Sequence, residues 1–242
     1  MRLFIYSSIF IFLILIQVTY ASAQFKVTGY IDAGHTNVSN GLFIKTSGLG
    51  SYQFGKNMVA AGMQLDLKNY NSNVFSGLNL IAAREARIKN FHFEFQAFYL
   101  LTLFSDISRE TNWGMMLNLQ PEHFKLVVGT SFRTFAYRKR AINEYNLNAD
   151  DKIHENWNII YSISYYLKRH ENEWNIGVSV TNIDHYIINQ ETNPNFNLNG
   201  YYQMNAPLRL FAEVWYKSSG AFNLSVNYFG VFLRTGIVWD IG

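Results

Sequence analysis

The chain has no cysteine, so none of its 242 residues can be tied by a disulfide or donate a thiolate to a metal. It has only three prolines, and charged residues make up 15% of it with a net charge of +3. So weak a balance excludes binding to nucleic acid or another polyanion through a basic patch. Long apolar runs are also missing, with one exception. Met1 and Arg2 precede a run from Leu3 to Val18 that only Ser7, Ser8 and Gln17 interrupt, and Ala21, Ser22 and Ala23 follow it. A positive start, a short apolar stretch and a small-x-small end predict a secretory signal peptide over residues 1–23. Removing 23 of the 242 residues leaves a mature domain over 24–242, with 19 basic and 17 acidic residues. No second run of about 18–20 apolar residues remains to form a helical membrane span.

What is present is 49% hydrophobic and 17% aromatic residues, and they alternate. In the stretch from Trp174 to Asn182, Trp174, Ile176, Val178 and Val180 fall on one face of a strand, and Asn175, Gly177, Ser179 and Thr181 on the other. In a soluble sandwich the apolar face turns to a protein core, whereas in a membrane barrel it turns to lipid and the small polar face lines the lumen. The stretch alone fits both.

The count of such stretches and the connections between them separate the two folds. Twelve alternating segments are readable, from Phe25–Ala33 to a last one running from Phe222 to Trp239 with a bulge near Phe229 and Gly230. Short connections, such as Phe54 to Asn57 and Gln120 to Glu122, take turns with longer ones, such as His35 to Gly41, Arg138 to Asn156 and His185 to Asn197. The eleventh, Ser218 to Gly220, is a short exception. All three prolines, at 121, 194 and 207, fall outside the expected strand interiors. Trp113, Trp157, Trp174 and Trp239 fall at expected strand ends, where an interfacial aromatic girdle sits. The predicted fold is therefore all-β: an up-and-down antiparallel transmembrane β-barrel of about 12 strands, within a range of 10–14. Short turns at one end and longer loops at the other put the short turns, and with an even strand number both termini, in the periplasm.

At the C-terminus, Arg234 is followed by Gly236, Trp239 and Ile241. This pattern resembles the β-signal read by outer-membrane barrel-assembly machinery, from which the final Gly242 departs. The mature chain as a whole resembles small outer-membrane barrels of the Bacteroidota type, without matching a named family. The resemblance implies a bacterial outer-membrane location, contact with outer-membrane lipid, and barrel-assembly machinery as a partner in biogenesis.

With the apolar parity facing lipid, the opposite parity lines the lumen. It collects Lys26, Asp32, Lys45, Asp66, Glu85, Arg87, His92, Glu94, Lys125, Arg133, Arg209, Glu213 and Arg234. Seven bases stand against five acids; their mixture suggests pairs across the lumen, and the small basic excess would favour anions in an open path. Bulky inward groups, among them Phe98, Tyr166, Phe211 and Trp215, narrow whatever path there is. Two functions follow: a narrow channel for small solutes, favoured by polar parity in so many strands, or a non-conducting barrel serving as an accessory subunit of a larger outer-membrane complex. Catalysis is not expected. Outer-membrane hydrolases need a serine beside a histidine; here His35, His123, His154, His170 and His185 are expected in connections, and His92 stands beside Glu94. The neighbourhoods Asp32/His35, His92/Glu94 and Asp151/His154/Glu155 each lack the three or four convergent ligands of a metal site. No cofactor and no nucleic acid is implied.

Overall fold

A computed structural model describes residues 24–35, 42–68, 74–88, 91–103, 107–148, 150–169, 173–186, 190–217 and 230–241; the expected signal peptide lies outside them. Twelve strands run as β1 (Gln24–His35), β2 (Leu42–Phe54), β3 (Asn57–Lys68), β4 (Phe75–Ile88), β5 (Phe91–Leu103), β6 (Ser108–Leu119), β7 (Phe124–Tyr137), β8 (Lys152–Tyr166), β9 (Trp174–Ile183), β10 (Gln190–Asn205), β11 (Leu208–Lys217) and β12 (Gly230–Ile241). One short helix, α1 (Lys139–Tyr145), sits in the connection between β7 and β8. Every strand pairs antiparallel with its neighbours in sequence, and β12 closes on β1 from Phe25 opposite Ile241 to Gly34 opposite Phe232.

Closure decides which face meets what. In β9, Trp174, Ile176, Val178 and Val180 are 39–53% exposed, whereas Asn175, Ser179 and Thr181 are 0–5% exposed. The same inversion holds around the wall, with Leu, Val, Phe and Trp outside and Ser, Asn, Asp and Arg inside. Water cannot be the solvent of such an outer surface, because an apolar belt on every strand is far beyond the patches soluble proteins expose. Its height fits a bilayer. The outward residues Trp157 and Tyr165 of β8 are eight residues apart, about 26 Å along a strand and about 20 Å along the axis at a 40° tilt.

Several boundaries differ from the sequence reading. The described part of β12 begins at Gly230, and the expected short eleventh connection, Ser218 to Gly220, lies outside the described residues. The expected strand from Phe222 to Phe229 lies outside the described residues; Gly230 opens β12 at φ 102°, a conformation glycine adopts without a Cβ clash. Strands at the long-loop end reach further than expected: β6 includes Glu110, β8 starts at Lys152, and Trp113 and Trp157 lie inside their strands rather than at the ends. Polar sequence masked these extensions, because above the lipid belt the outer face meets water while the inner face carries buried, paired charges such as Glu110 with Arg133. For the same reason His154 lies in β8 and His35 ends β1. Pro194 also lies within a strand, in β10, at a register shift between Gln190 and Asn195 where the ladder skips residues and a missing N–H costs nothing.

Candidate functional site: a vestibule beneath a charged belt

All the charged residues expected inside occupy inward register positions, and most of the ion pairs they form run along the wall rather than across the lumen. Register explains this. Glu213 stands opposite Arg234, Arg234 opposite Asp32, Asp32 opposite Lys45, and Lys45 opposite Asp66. Five consecutive strands, β11, β12, β1, β2 and β3, thus carry acid, base, acid, base, acid in one lateral row. Arg234 Nε and an Nη donate to the two oxygens of Asp32 at 2.7 and 3.0 Å, and Lys45 Nζ lies 3.4 Å from Asp66. A second group forms on the opposite wall, where Arg133 Nε donates to Glu110 at 2.8 Å and an Nη to Glu155 at 3.2 Å.

One group does cross the lumen. After Thr181, β9 leaves the wall, and its pairing with β8 covers only Ser162–Tyr166. Asn182 takes over the ladder's role: its Oδ1 accepts from the Tyr161 N–H at 2.8 Å, and its Nδ2 donates to the Ile159 carbonyl at 2.7 Å. Ile183 then packs among Ala60, Ile81, Phe98, Met116, Val127 and Ile160, on the β3–β8 side. Three residues later Tyr186 stacks on Phe211 of β11 at 4.7 Å and meets Tyr30 of β1 at 5.6 Å. Between them, Asp184 accepts from both Arg234 Nη atoms at 2.9 and 2.6 Å. Arg234 adds a longer 3.5 Å bond to Glu213, so all five guanidinium N–H groups have a carboxylate partner. Its face lies 4.2 Å from the Tyr30 ring centroid, a cation–π contact inside a buried cluster.

This strap, Ile183–Tyr186, divides the lumen. Towards the long loops, Phe43, Trp215 and Phe232 pack together above the charged belt. Towards the short turns lie two adjoining cavities of about 280 and 410 Å³. The first is lined by Lys26, Glu94, Gln96, Asn118 and residues of the strap, the second by Gln120, Tyr166, Asn199, Tyr201 and Glu213. Lys125, His185, Tyr186 and Arg209 form their common wall. Arg87 and His92 are exposed and Glu85 half-buried at the rim, with His92 Nε2 3.9 Å from Glu85.

The sequence reading missed the carboxylates that complete both groups. Glu110 and Glu155 were assigned to connections, and Asp184 to none of the strands. Adding these and Asp240 to the five acids, and Lys217 to the seven bases, leaves nine acids against eight bases, so the basic excess expected for the lumen does not exist. Polar residues flanking a strand by one or two positions on the inward parity were the available signal. Among the described residues no group of three or more His, Asp or Glu converges as a metal site. His154 Nδ1 lies 3.1 Å from Thr134 Oγ1 on the outer surface, a hydroxyl–imidazole pair for which the described residues supply no third group to orient a catalytic base.

No protein-family model and no curated protein matches the chain. Solved structures do. The outer membrane phospholipase A from Escherichia coli is 11% identical, with 89% of this chain and 92% of that chain covered at a TM-score of 0.50. The KdgM porin is also 11% identical, covering 89% and 99% at 0.49, and the COG4313 outer membrane channel from Pseudomonas putida F1 is 11% identical, covering 93% and 97% at 0.45. The fold is that of an outer-membrane β-barrel. Since a fold does not fix an activity, function has to be read from the lumen itself.

Proposed function

We propose that the protein is an outer-membrane channel for small solutes, narrowed at the strap Ile183–Tyr186. One observation carries this reading: the polar vestibule ends at a narrow strap whose ends pack on two apolar clusters and whose middle, Asp184, is held by side-chain bonds to Arg234. The lumen is also incompletely paired. Among the described residues, Asn79, Ser162 and Asn197 each leave a buried polar atom without a protein partner, which a lumen carrying water or solute satisfies and a dry core does not. The named porin and channel of the same fold are in keeping with this role, and the unoriented Thr134–His154 pair favours a non-enzymatic protein over a hydrolase. We read the short-turn end, with both termini, as periplasmic, and Gly236, Trp239 and Ile241 as the segment presented to barrel-assembly machinery.

Conductance of purified, refolded protein in planar bilayers tests the reading, comparing native chain with Asp184→Ala. The variant leaves Arg234 with Asp32 and Glu213 as counter-charges, so the barrel stays folded while the strap loses its anchor. Small or infrequent steps from the native protein and larger ones from Asp184→Ala are expected. Absence of steps from both, in barrels shown folded by circular dichroism, would overturn the channel and leave a non-conducting accessory subunit of a larger complex.

A further inference from the structure

The bases of the lumen are not equally committed. Lys26 pairs with Asp240 at 3.1 Å, Lys45 with Asp66, Arg133 with Glu110 and Glu155, and Arg234 with three carboxylates. Arg209 Nε donates to Gln203 at 3.1 Å and its guanidinium lies 5.0 Å from the Tyr201 ring centroid, which leaves its Nη groups for another acceptor. Lys125 has no hydrogen bond and no ion pair among the described residues, yet it lies below the strap in the wall common to both cavities. The other three members of that wall, His185, Tyr186 and Arg209, also offer N–H or O–H donors.

The neighbouring acids each have another partner, through one oxygen only in Glu213 and Glu94, which remain counter-charges to Lys125 without a contact ion pair. Both oxygens of Asp184 face Arg234; Glu213 accepts from Trp215 Nε1 at 2.6 Å and from Arg234; Glu94 accepts from Asn118 at 2.6 Å. A donor-rich wall, with one ammonium lacking a contact partner and a half-committed guanidinium, faces a space lined on one side by Tyr166, Tyr201 and Phe211 and elsewhere by Gln120, Asn199 and the Glu213 carboxylate that Trp215 and Arg234 engage; it calls for an anion with an apolar body. We propose that Lys125 and Arg209 form a binding site for a small organic carboxylate, its charged end between them and its ring or hydrocarbon body against the aromatic wall of the second cavity. At about 410 Å³ this cavity is within the roughly 300–1,000 Å³ of small-molecule sites. The proposal deepens the channel reading by naming the class of solute, and rests on that reading for what the site serves.

Equilibrium binding to the full refolded chain in detergent micelles, followed by calorimetry, tests it without requiring conduction. The probes are benzoate, its uncharged counterpart benzyl alcohol, and inorganic phosphate. Saturable benzoate binding that exceeds both others, and weakens by about tenfold or more in Lys125→Met, is expected. Lys125→Met removes no partner and keeps the length of the side chain, so its barrel should unfold in urea like the native one; Arg209→Gln gives a second, independent weakening. Benzoate affinity unchanged in both variants, or equal affinity for benzyl alcohol, overturns the site. Preference for phosphate overturns the carboxylate class. Binding in a barrel that does not conduct would leave the site standing and remove the channel, whereas conduction with no benzoate binding would do the reverse.

Discussion

Arg234 is where substitution should cost most. It is 2% exposed, it donates to Asp32, Asp184 and Glu213, and it is the link through which the strap is fastened to β12 and β1. Arg234→Met fits the aromatic surroundings of Tyr30, Trp215 and Phe232 but removes the base that bonds to Asp32, Asp184 and Glu213 together. Breaking one buried pair typically costs about 3–5 kcal/mol. Asp184 has 16% of its side chain exposed and can turn to vestibule water, so the loss should fall near the middle of that range, about 4 kcal/mol. Arg234→Lys keeps the charge and loses the fork that serves Asp32 and Asp184 bidentately. With two of the four short bonds replaceable, it should cost about 2–3 kcal/mol. Urea unfolding in lipid vesicles, followed by tryptophan fluorescence, measures both. The double change Asp32→Asn with Arg234→Met should recover part of the loss, because one stranded carboxylate is gone. If Arg234→Lys is as stable as native to within about 0.5 kcal/mol, the belt is a solvated charge array and the strap is not held by it.

Asn182→Ala removes the two side-chain bonds that stand in for the β8–β9 ladder. It should lower stability by about 1–3 kcal/mol and speed amide exchange at Tyr161 selectively; uniform exchange throughout β8 would contradict that role. Gly236 is inward, and a Cβ there would lie 2.5 Å from the Gly29 carbonyl oxygen and 2.6 Å from Tyr30 Cβ. Gly236→Ala should therefore destabilise the refolded barrel by about 1–3 kcal/mol through overpacking. Trp239→Ala, on the outer surface, should leave the purified barrel's lumen intact and lower only the amount assembled in cells; equal assembly would remove Trp239 from the assembly signal.

Much of the fold was legible because a barrel strand has a period of two residues and the lipid belt demands apolar groups on one parity without interruption. From Trp174 to Val180 the parity alone named the two faces, and only ring closure said that the apolar one is outside. Legibility failed wherever neither face meets lipid. Ser108 to Thr111 and Lys152 to Asn156 look like loop because both parities are polar there, water meeting the outer face and Arg133 the inner one, and so Glu110 and Glu155 escaped the lumenal inventory. Gln190 to Asn195 escaped through its bulge, and with it the strand position of Pro194.

The sequence by itself determined the alternation, the approximate number of strands, the unequal connections, and which charges share the inward parity. These are local properties, set by strand geometry and by the solvent each face must match. Partnership was decided only in three dimensions. Asp32, Glu213 and Arg234 meet because closure of β12 on β1 sets one register out of many, and a slip of one residue would turn Arg234 to lipid. The strap depends on the same register, since Asp184 leaves the wall after β9 and finds its cation on a strand about fifty residues further along the chain. No periodicity announces that contact, because it is made by a turn and a single side chain. The vestibule, with Lys125 uncommitted in its wall, is a consequence of that crossing.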